Sequence, residues 1–141
     1  MSIKSYRDLE VWQRGIDLVE EVYKVSKLFP RDEQLGLTNQ IRRSSVSVPA
    51  NIAEGQARSS RADFLRFLHI AKGSLAETET HLLISLRLTY VSREQVKPTW
   101  ALSQEVGRLL SGLIRSLEKD RPVSGNGRIS ELTELYEISD E

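Results

Sequence analysis

The sequence predicts an all-α protein, built as an antiparallel up-down-up-down four-helix bundle. Apolar residues recur at helical spacing along four segments, capping patterns open two of those segments, and no alternating stretch of useful length indicates a strand. Long segments joined by short connections favour neighbours that run in opposite directions. The 141 residues suit a single domain whose core needs no disulfide or metal ion.

The first helical segment is predicted from Tyr6 to Phe29 and carries two apolar seams. One seam consists of Leu9, Trp12, Ile16, Val19 and Tyr23, and the other of Val11, Leu18, Val22, Val25 and Phe29. Together they make an apolar face wider than one bundle contact needs. Part of this face lies either in the core of one chain or against another subunit, and this helix alone does not decide between them.

The second helical segment is predicted from Asp32 to Arg58, with Pro49 inside it. A proline within a helix removes one backbone N–H and crowds the carbonyl four residues earlier, here that of Ser45. We therefore expect a kink near Pro49, with nearby serine hydroxyls satisfying the freed carbonyl groups. A break into two helices is the alternative.

Capping patterns mark the starts of the third and fourth segments. Ser60 with Asp63 resembles a capping box, and the third segment then runs to about Tyr90. Ser92 with Gln95 is a second capping box and opens the fourth segment. Four glycines fall inside predicted helices, where we expect them to allow close approach of neighbouring helices. They are Gly15, Gly73, Gly107 and Gly112.

The chain divides into a bundle domain, residues 1–120, and an acidic C-terminal tail, residues 121–141. Pro122, Gly125 and Gly127 indicate a linker, and residues 129–136 either form a short amphipathic helix or remain disordered. The tail holds two basic and five acidic residues, a net charge of −3, which leaves +3 on residues 1–120. A mildly basic body is compatible with a polyanionic partner.

Several functional classes are disfavoured by composition and spacing. The chain has no cysteine, which excludes disulfides, thiolate catalysis and zinc–thiolate sites. Glu77 and His81 are four residues apart, not three as in the Glu-x-x-His motif of metal-binding bundles, so we expect no metal and no cofactor. Arg66 lies only three residues before His69, which does not fit the Arg-x4–6-His spacing of bundle ribonucleases. We therefore expect a protein that is not an enzyme.

A polar N-terminus and the lack of a long uncharged stretch predict a cytoplasmic protein that does not enter the membrane.

The second and third segments carry a pattern that resembles the four helix bundle protein family, first named for proteins encoded in intervening sequences of bacterial 23S ribosomal RNA genes. The pattern consists of Phe29-Pro30, Gly36-Leu37, Gln40, Ile41-Arg42-Arg43, Ser47, Pro49, Asn51-Ile52-Ala53-Glu54-Gly55, Phe64, Phe67-Leu68, Ile70-Ala71, Gly73-Ser74 and Glu77. The resemblance covers about residues 5–119. It implies a homopentameric ring of bundles. A related branch, the accessory protein of diversity-generating retroelements, binds nucleic acid and a reverse transcriptase. The sequence departs from the family pattern at Leu35, where an aromatic residue is expected, and in its acidic tail.

A polar stripe follows the second helix, and a shorter one follows the third. At 100° per residue their members fall on one side of each helix. The candidate polar network consists of Gln40, Ser47, Asn51, Glu54, Ser74 and Glu77. One interpretation is two solvated faces. The other is that Asn51, Glu54 and Glu77 meet at a helix or subunit interface, where they hydrogen-bond to backbone groups or to Arg42 and Arg43 and fix the register.

Basic residues in the middle of the chain are candidates for contact with RNA or DNA. They are Arg42, Arg43, Arg58, Arg61, Arg66 and Lys72. Arg58 and Arg61 lie at the turn before the third helix, whose free N–H groups favour an anion. The contacts would be to phosphate, so binding should weaken steeply with salt. Acidic residues are interleaved with these cations, so ordinary surface ion pairs are the alternative.

Two functions from different classes therefore remain. The first is a non-catalytic, oligomeric nucleic-acid-binding or accessory assembly protein, in which a ring would multiply a weak basic site. The second is a protein-interaction scaffold ring that binds no nucleic acid.

Overall fold

The computed structural model describes residues 5–119, which form four α-helices joined by short connections. They are α1 (Glu10–Ser26), α2 (Leu37–Ala57), α3 (Arg61–Arg87) and α4 (Arg93–Lys119). Two 3₁₀ turns, Tyr6–Asp8 and Arg31–Glu33, precede α1 and α2. Residues 5–119 contain no strand, and the predicted all-α four-helix class is confirmed. The predicted linker and short helix of the tail lie outside the described residues.

The first two helices begin later than the sequence predicts. Leu9 has extended backbone angles, φ −79° and ψ 122°, and separates the first 3₁₀ turn from α1. Gly36, with φ −111° and ψ −116°, lies between the second 3₁₀ turn and α2. Apolar spacing continues across both interruptions, so periodicity alone does not locate them.

Side-chain caps open α3 and α4 at the predicted positions. The N–H of Asp63 donates to Ser60 Oγ at 3.1 Å. At α4 both bonds of the capping box form, since the N–H of Gln95 donates to Ser92 Oγ at 3.1 Å and the N–H of Ser92 donates to Gln95 Oε1 at 2.9 Å. A cap of this kind stabilises a helix by about 1 kcal/mol.

The aliphatic core lies between the four helices. Its fully buried side chains are Leu18, Val22, Ile41, Val48, Ile52, Leu68, Leu82, Val106 and Leu110. On α1 the seam through Leu18 and Val22 is buried along its whole length. The other seam is only partly covered, and its last member, Tyr23, is 41% exposed. None of the helices within residues 5–119 is both long and apolar enough to cross a membrane.

The helix α2 continues through Pro49, so the alternative of two separate helices is wrong, while the kink stays a prediction. The hydroxyls of Ser44 and Ser45 donate to the carbonyls of Ile41 and Arg42, at 3.1 and 3.0 Å. These serines therefore bond one turn earlier in the helix and not to the Ser45 carbonyl that the proline frees.

Two glycines let neighbouring helices approach closely. A Cβ atom added at Gly15 would lie 3.3 Å from the Cβ of Pro49, which places α1 tightly against α2. A Cβ atom added at Gly55 would lie 2.6 Å from the Cβ of Phe67, closer than real side chains pack. Close approach is thus confirmed at Gly15. An added Cβ meets only ordinary contact or open space at Gly73, Gly107 and Gly112.

Replacement of Gly55 by alanine should destabilise the protein, because the new methyl group cannot fit between α2 and Phe67 without displacing backbone. We expect a loss of about 1 to 3 kcal/mol in the free energy of unfolding, measured by urea denaturation. The matched control is Gly112→Ala, whose methyl group meets nothing within 4 Å. It should be neutral or stabilising by up to about 1 kcal/mol, because alanine has the higher helix propensity. Equal effects of the two substitutions would contradict the tight α2–α3 contact.

Candidate nucleic-acid interface

Four hydroxyl side chains connect α2 to α3 through the middle of the bundle, and we call them the hydroxyl seam: Ser44, Ser47, Ser74 and Thr78. Ser44 Oγ and Thr78 Oγ1 lie 2.9 Å apart, as do Ser47 Oγ and Ser74 Oγ. From the first pair to the second, the residue number rises on α2 and falls on α3, so these two helices run in opposite directions at the seam. The up-down-up-down order of all four helices stays a prediction. Because Ser44, Ser74 and Thr78 are buried, each hydroxyl needs a partner, and the partners fix the register of the two helices.

Asn51 extends the seam toward the end of α2. Its Nδ2 donates to the Ser47 carbonyl at 2.7 Å and to Ser47 Oγ at 2.8 Å. Of the predicted polar network, the structure thus brings together Ser47, Asn51 and Ser74. Sequence reasoning left Ser44 and Thr78 out of the network. The usable signal was the spacing of Ser74 and Thr78, four residues and one helical turn apart.

The other predicted network residues lie on the surface of the chain. Gln40, Glu54 and Glu77 are exposed. The Glu54 carboxylate is 3.2 Å from the Arg58 guanidinium, on the same helix, and does not reach the seam. Within residues 5–119, therefore, Asn51 alone of the three predicted interface residues hydrogen-bonds to a backbone group.

His81 lies near Glu77 on α3 and is half-buried. Burial lowers the pKa of His81 below its ordinary value of 6.5, and the negative charge of Glu77 partly opposes this shift. Its Nδ1 is buried and has no hydrogen-bond partner within the described chain. Residues 5–119 also hold no cluster of three or more His, Asp or Glu side chains suited to a metal ion.

Arg58 and Arg66 come together beside the turn between α2 and α3, and Arg61 lies in the same turn as the first residue of α3; we call these three residues the arginine cluster. The guanidinium carbon of Arg58 lies 5.2 Å from the centre of the Phe67 ring, and that of Arg66 lies 4.6 Å from it. The ring itself is buried, so the cations of Arg58, just after α2, and of Arg66, on α3, are held against one rigid aromatic ring. Sequence reasoning did not assign Phe67 this role.

Two carboxylates accompany the arginine cluster without neutralising it. Glu54 pairs with Arg58 at 3.2 Å, and Asp63 lies 3.9 Å from Arg66. All four side chains are 43 to 60% exposed, so water screens these pairs and each contributes about 0 to 1 kcal/mol. Arg61 is exposed and is the first residue of α3, where N–H groups without helical partners point outward. The cluster can therefore exchange its weak internal pairs for an external anion.

The remaining basic candidates lie elsewhere. Arg42 is held over the Tyr23 ring at 4.6 Å, and its Nε donates to Ser26 Oγ at 2.9 Å, so it connects α2 to α1. Arg43 is exposed. At about 1.5 Å per residue, it lies about 22 Å from Arg58 along the direction of the α2 axis. Lys72 lies partly buried on α3. The six candidates thus do not form one surface.

Comparison with known proteins places this arrangement in a family. The family described as 23S rRNA-intervening sequence protein matches residues 7–112. The chain belongs to this family. A crystal structure of an S23 ribosomal protein family member of unknown function, from Bacteroides thetaiotaomicron, is similar, with a TM-score of 0.69 and 31% identity. The similarity covers 74% of this chain and 97% of that one. No curated protein matches the chain. The 23S rRNA-intervening sequence family match covers α2, the hydroxyl seam and the arginine cluster.

Asn51→Ala should destabilise this 23S rRNA-intervening sequence family member more than Glu54→Ala does. The first change removes two hydrogen bonds and leaves Ser47 with one fewer partner, for an expected loss of about 1 kcal/mol. The second removes a water-exposed ion pair and should change the free energy of unfolding by less than about 0.5 kcal/mol. Thermal melts at pH 7 and moderate salt measure both. A larger loss of stability in Glu54→Ala than in Asn51→Ala would contradict this prediction and would mean that Glu54 makes a contact stronger than the one to Arg58.

Proposed function

We propose that this protein is a non-catalytic nucleic-acid-binding bundle that acts as a homo-oligomer, with the arginine cluster as its phosphate contact. The observation that carries the proposal is the convergence of Arg58, the residue after α2, and Arg66 of α3 on the buried ring of Phe67. Holding a guanidinium in place lowers the entropy that it would lose on binding a phosphate. Guanidinium groups also match phosphate oxygens with two parallel hydrogen bonds.

The names of similar proteins support RNA as the first ligand to test. The family description refers to intervening sequences of 23S ribosomal RNA, and the similar solved structure is described as a member of a ribosomal protein family. Three arginines per chain are a weak site by themselves. A ring of chains would present several such sites to one polyanion, and their joint occupancy would raise the affinity.

The non-catalytic part of the proposal rests on spacings that do not fit known catalytic motifs of helical bundles. Glu77 and His81 are four residues apart, not three, and Arg66 lies only three residues before His69.

Exposed apolar side chains support assembly into an oligomer, which the resemblance specifies as a homopentamer. On α3, Ile70, Leu83 and Ile84 are 40 to 48% exposed, and Leu88, the residue after α3, is 50% exposed, although α3 also supplies much of the core. Leu83 and Ile84 are adjacent and Leu88 follows Ile84 by one turn, and exposed apolar side chains close together are typical of a contact with another protein. The same observation favours the second candidate function, a scaffold ring that contacts a protein partner and no nucleic acid.

RNA binding should depend on the arginine cluster and on salt. We expect Arg61→Gln combined with Arg66→Gln to weaken binding of a 30-nucleotide RNA about tenfold or more at 50 mM salt, and to flatten the dependence of log K on log salt concentration by about one to two units. The control, Arg87→Gln with Arg93→Gln, removes the same charge from exposed positions far along α3 and at the start of α4. Fluorescence anisotropy with RNA, single-stranded DNA and duplex DNA measures these effects. Equal losses in both variants, or binding that does not respond to salt, would count against the proposal.

The oligomer should depend on the exposed apolar residues of α3. Leu83→Glu combined with Ile84→Glu should reduce the mass measured by light scattering toward that of a single 16.0 kDa chain, because charges would be buried in the subunit contact. Ala101→Glu combined with Ser116→Glu adds the same charge on exposed positions of α4 and should leave the mass unchanged. A wild-type oligomer that binds no nucleic acid at 50 mM salt would favour the scaffold function.

A further inference from the structure

We propose that residues 129–141 dock on the arginine cluster and compete there with nucleic acid. The competition rests on the proposed function, whereas the docking stands on its own evidence. That evidence is the position at which the chain leaves the bundle, the charges of the two surfaces, and an exposed apolar residue beside the cluster.

The chain leaves the bundle next to the arginine cluster. A carboxylate oxygen of Glu118, in the last turn of α4, lies 3.9 Å from Nε2 of His69 on α3. His69 is three residues after Arg66, about 4.5 Å along the helix axis. Residues 120–128 span up to about 30 Å when extended, so the segment that follows them reaches the cluster from the end of α4.

The charges of the segment and the cluster are complementary. Residues 129–141 contain only acidic charged residues, namely Glu131, Glu134, Glu137, Asp140 and Glu141. Carboxylates bind guanidinium groups with the same two-bond geometry as phosphates, so the segment presents the ligand chemistry that the cluster accepts. The weak pairs that Arg58 and Arg66 make with Glu54 and Asp63 can be exchanged at little cost.

An apolar contact is available beside the cluster as well. Ile70 lies one turn after Arg66 on α3 and is 42% exposed. The segment carries apolar residues among its carboxylates, namely Ile129, Leu132, Leu135, Tyr136 and Ile138. Docking would therefore cover Ile70 with an apolar side chain while the carboxylates meet the arginines.

The segment belongs to the same chain as the cluster, so it competes at a high effective concentration, in the millimolar range for a short tether. If it occupies the cluster nine-tenths of the time, the apparent affinity for nucleic acid falls about tenfold. Neutralising the carboxylates of the segment should therefore raise the apparent affinity for nucleic acid about tenfold.

Docking is measured directly with a spin label. The chain has no cysteine, so Ser139→Cys gives a single attachment site for a nitroxide in the otherwise intact protein. We expect the label to broaden the amide resonances of Arg61 and Arg66 at low salt and to leave those near Arg93 sharp. Glu131→Gln, Glu134→Gln and Glu137→Gln together should abolish the broadening. Sharp amides at Arg61 and Arg66 in the labelled protein would overturn the docking.

Competition is measured with RNA. The same triple glutamine variant should bind RNA about tenfold more tightly than the wild type. The control, Glu20→Gln, Asp32→Asn and Glu94→Gln, makes an equal change of net charge at exposed positions. An equal gain in RNA affinity in both variants would overturn the proposal that the segment competes with RNA. Absence of RNA binding in every variant overturns the proposed function, whereas RNA binding with no broadening overturns the docking alone.

Discussion

The close contact between α2 and α3 is the constraint on which the candidate site depends. At one end, Gly55 leaves no room for a side chain against Phe67. In the middle, paired hydroxyls such as Ser47 and Ser74 lie 2.9 Å apart. Buried hydroxyls without partners cost free energy, so a shift of one helix along the other would break several bonds at once. Packing sets the distance between the helices, and the hydroxyl seam sets their register.

This register decides what the α2–α3 turn presents to solvent. Phe67 is fixed by its contact with Gly55, and Arg58 and Arg66 lie against its ring. Their carboxylate partners are exposed, so the charges are positioned without being strongly neutralised. The Arg42 guanidinium, by contrast, packs on the Tyr23 ring and donates to the Ser26 hydroxyl, so it contributes to the α1–α2 contact. Basic residues of one sequence cluster therefore have different physical roles.

The bundle has a closed aliphatic core and yet leaves apolar side chains on its surface. Leu83 and Ile84 are 48% and 40% exposed on α3, and Tyr23 on α1 is 41% exposed. Core packing does not require them to be apolar, because a polar side chain at an exposed position costs little in the free energy of folding. The proposed assembly would explain them, and it would also bring several arginine clusters to one ligand.

The sequence by itself determined the helices, because apolar spacing and capping residues are local properties of the chain. Ser92 and Gln95 form the capping box that their spacing predicts. The family resemblance likewise depends on residues that can be read in order. The tertiary structure alone decided which α1 seam is buried, that Gly55 is the tight helix contact, and that the six basic candidates divide between separate surfaces. These outcomes depend on the distance and register between helices, which arise from side chains far apart in the sequence and leave no periodic signal within any one segment.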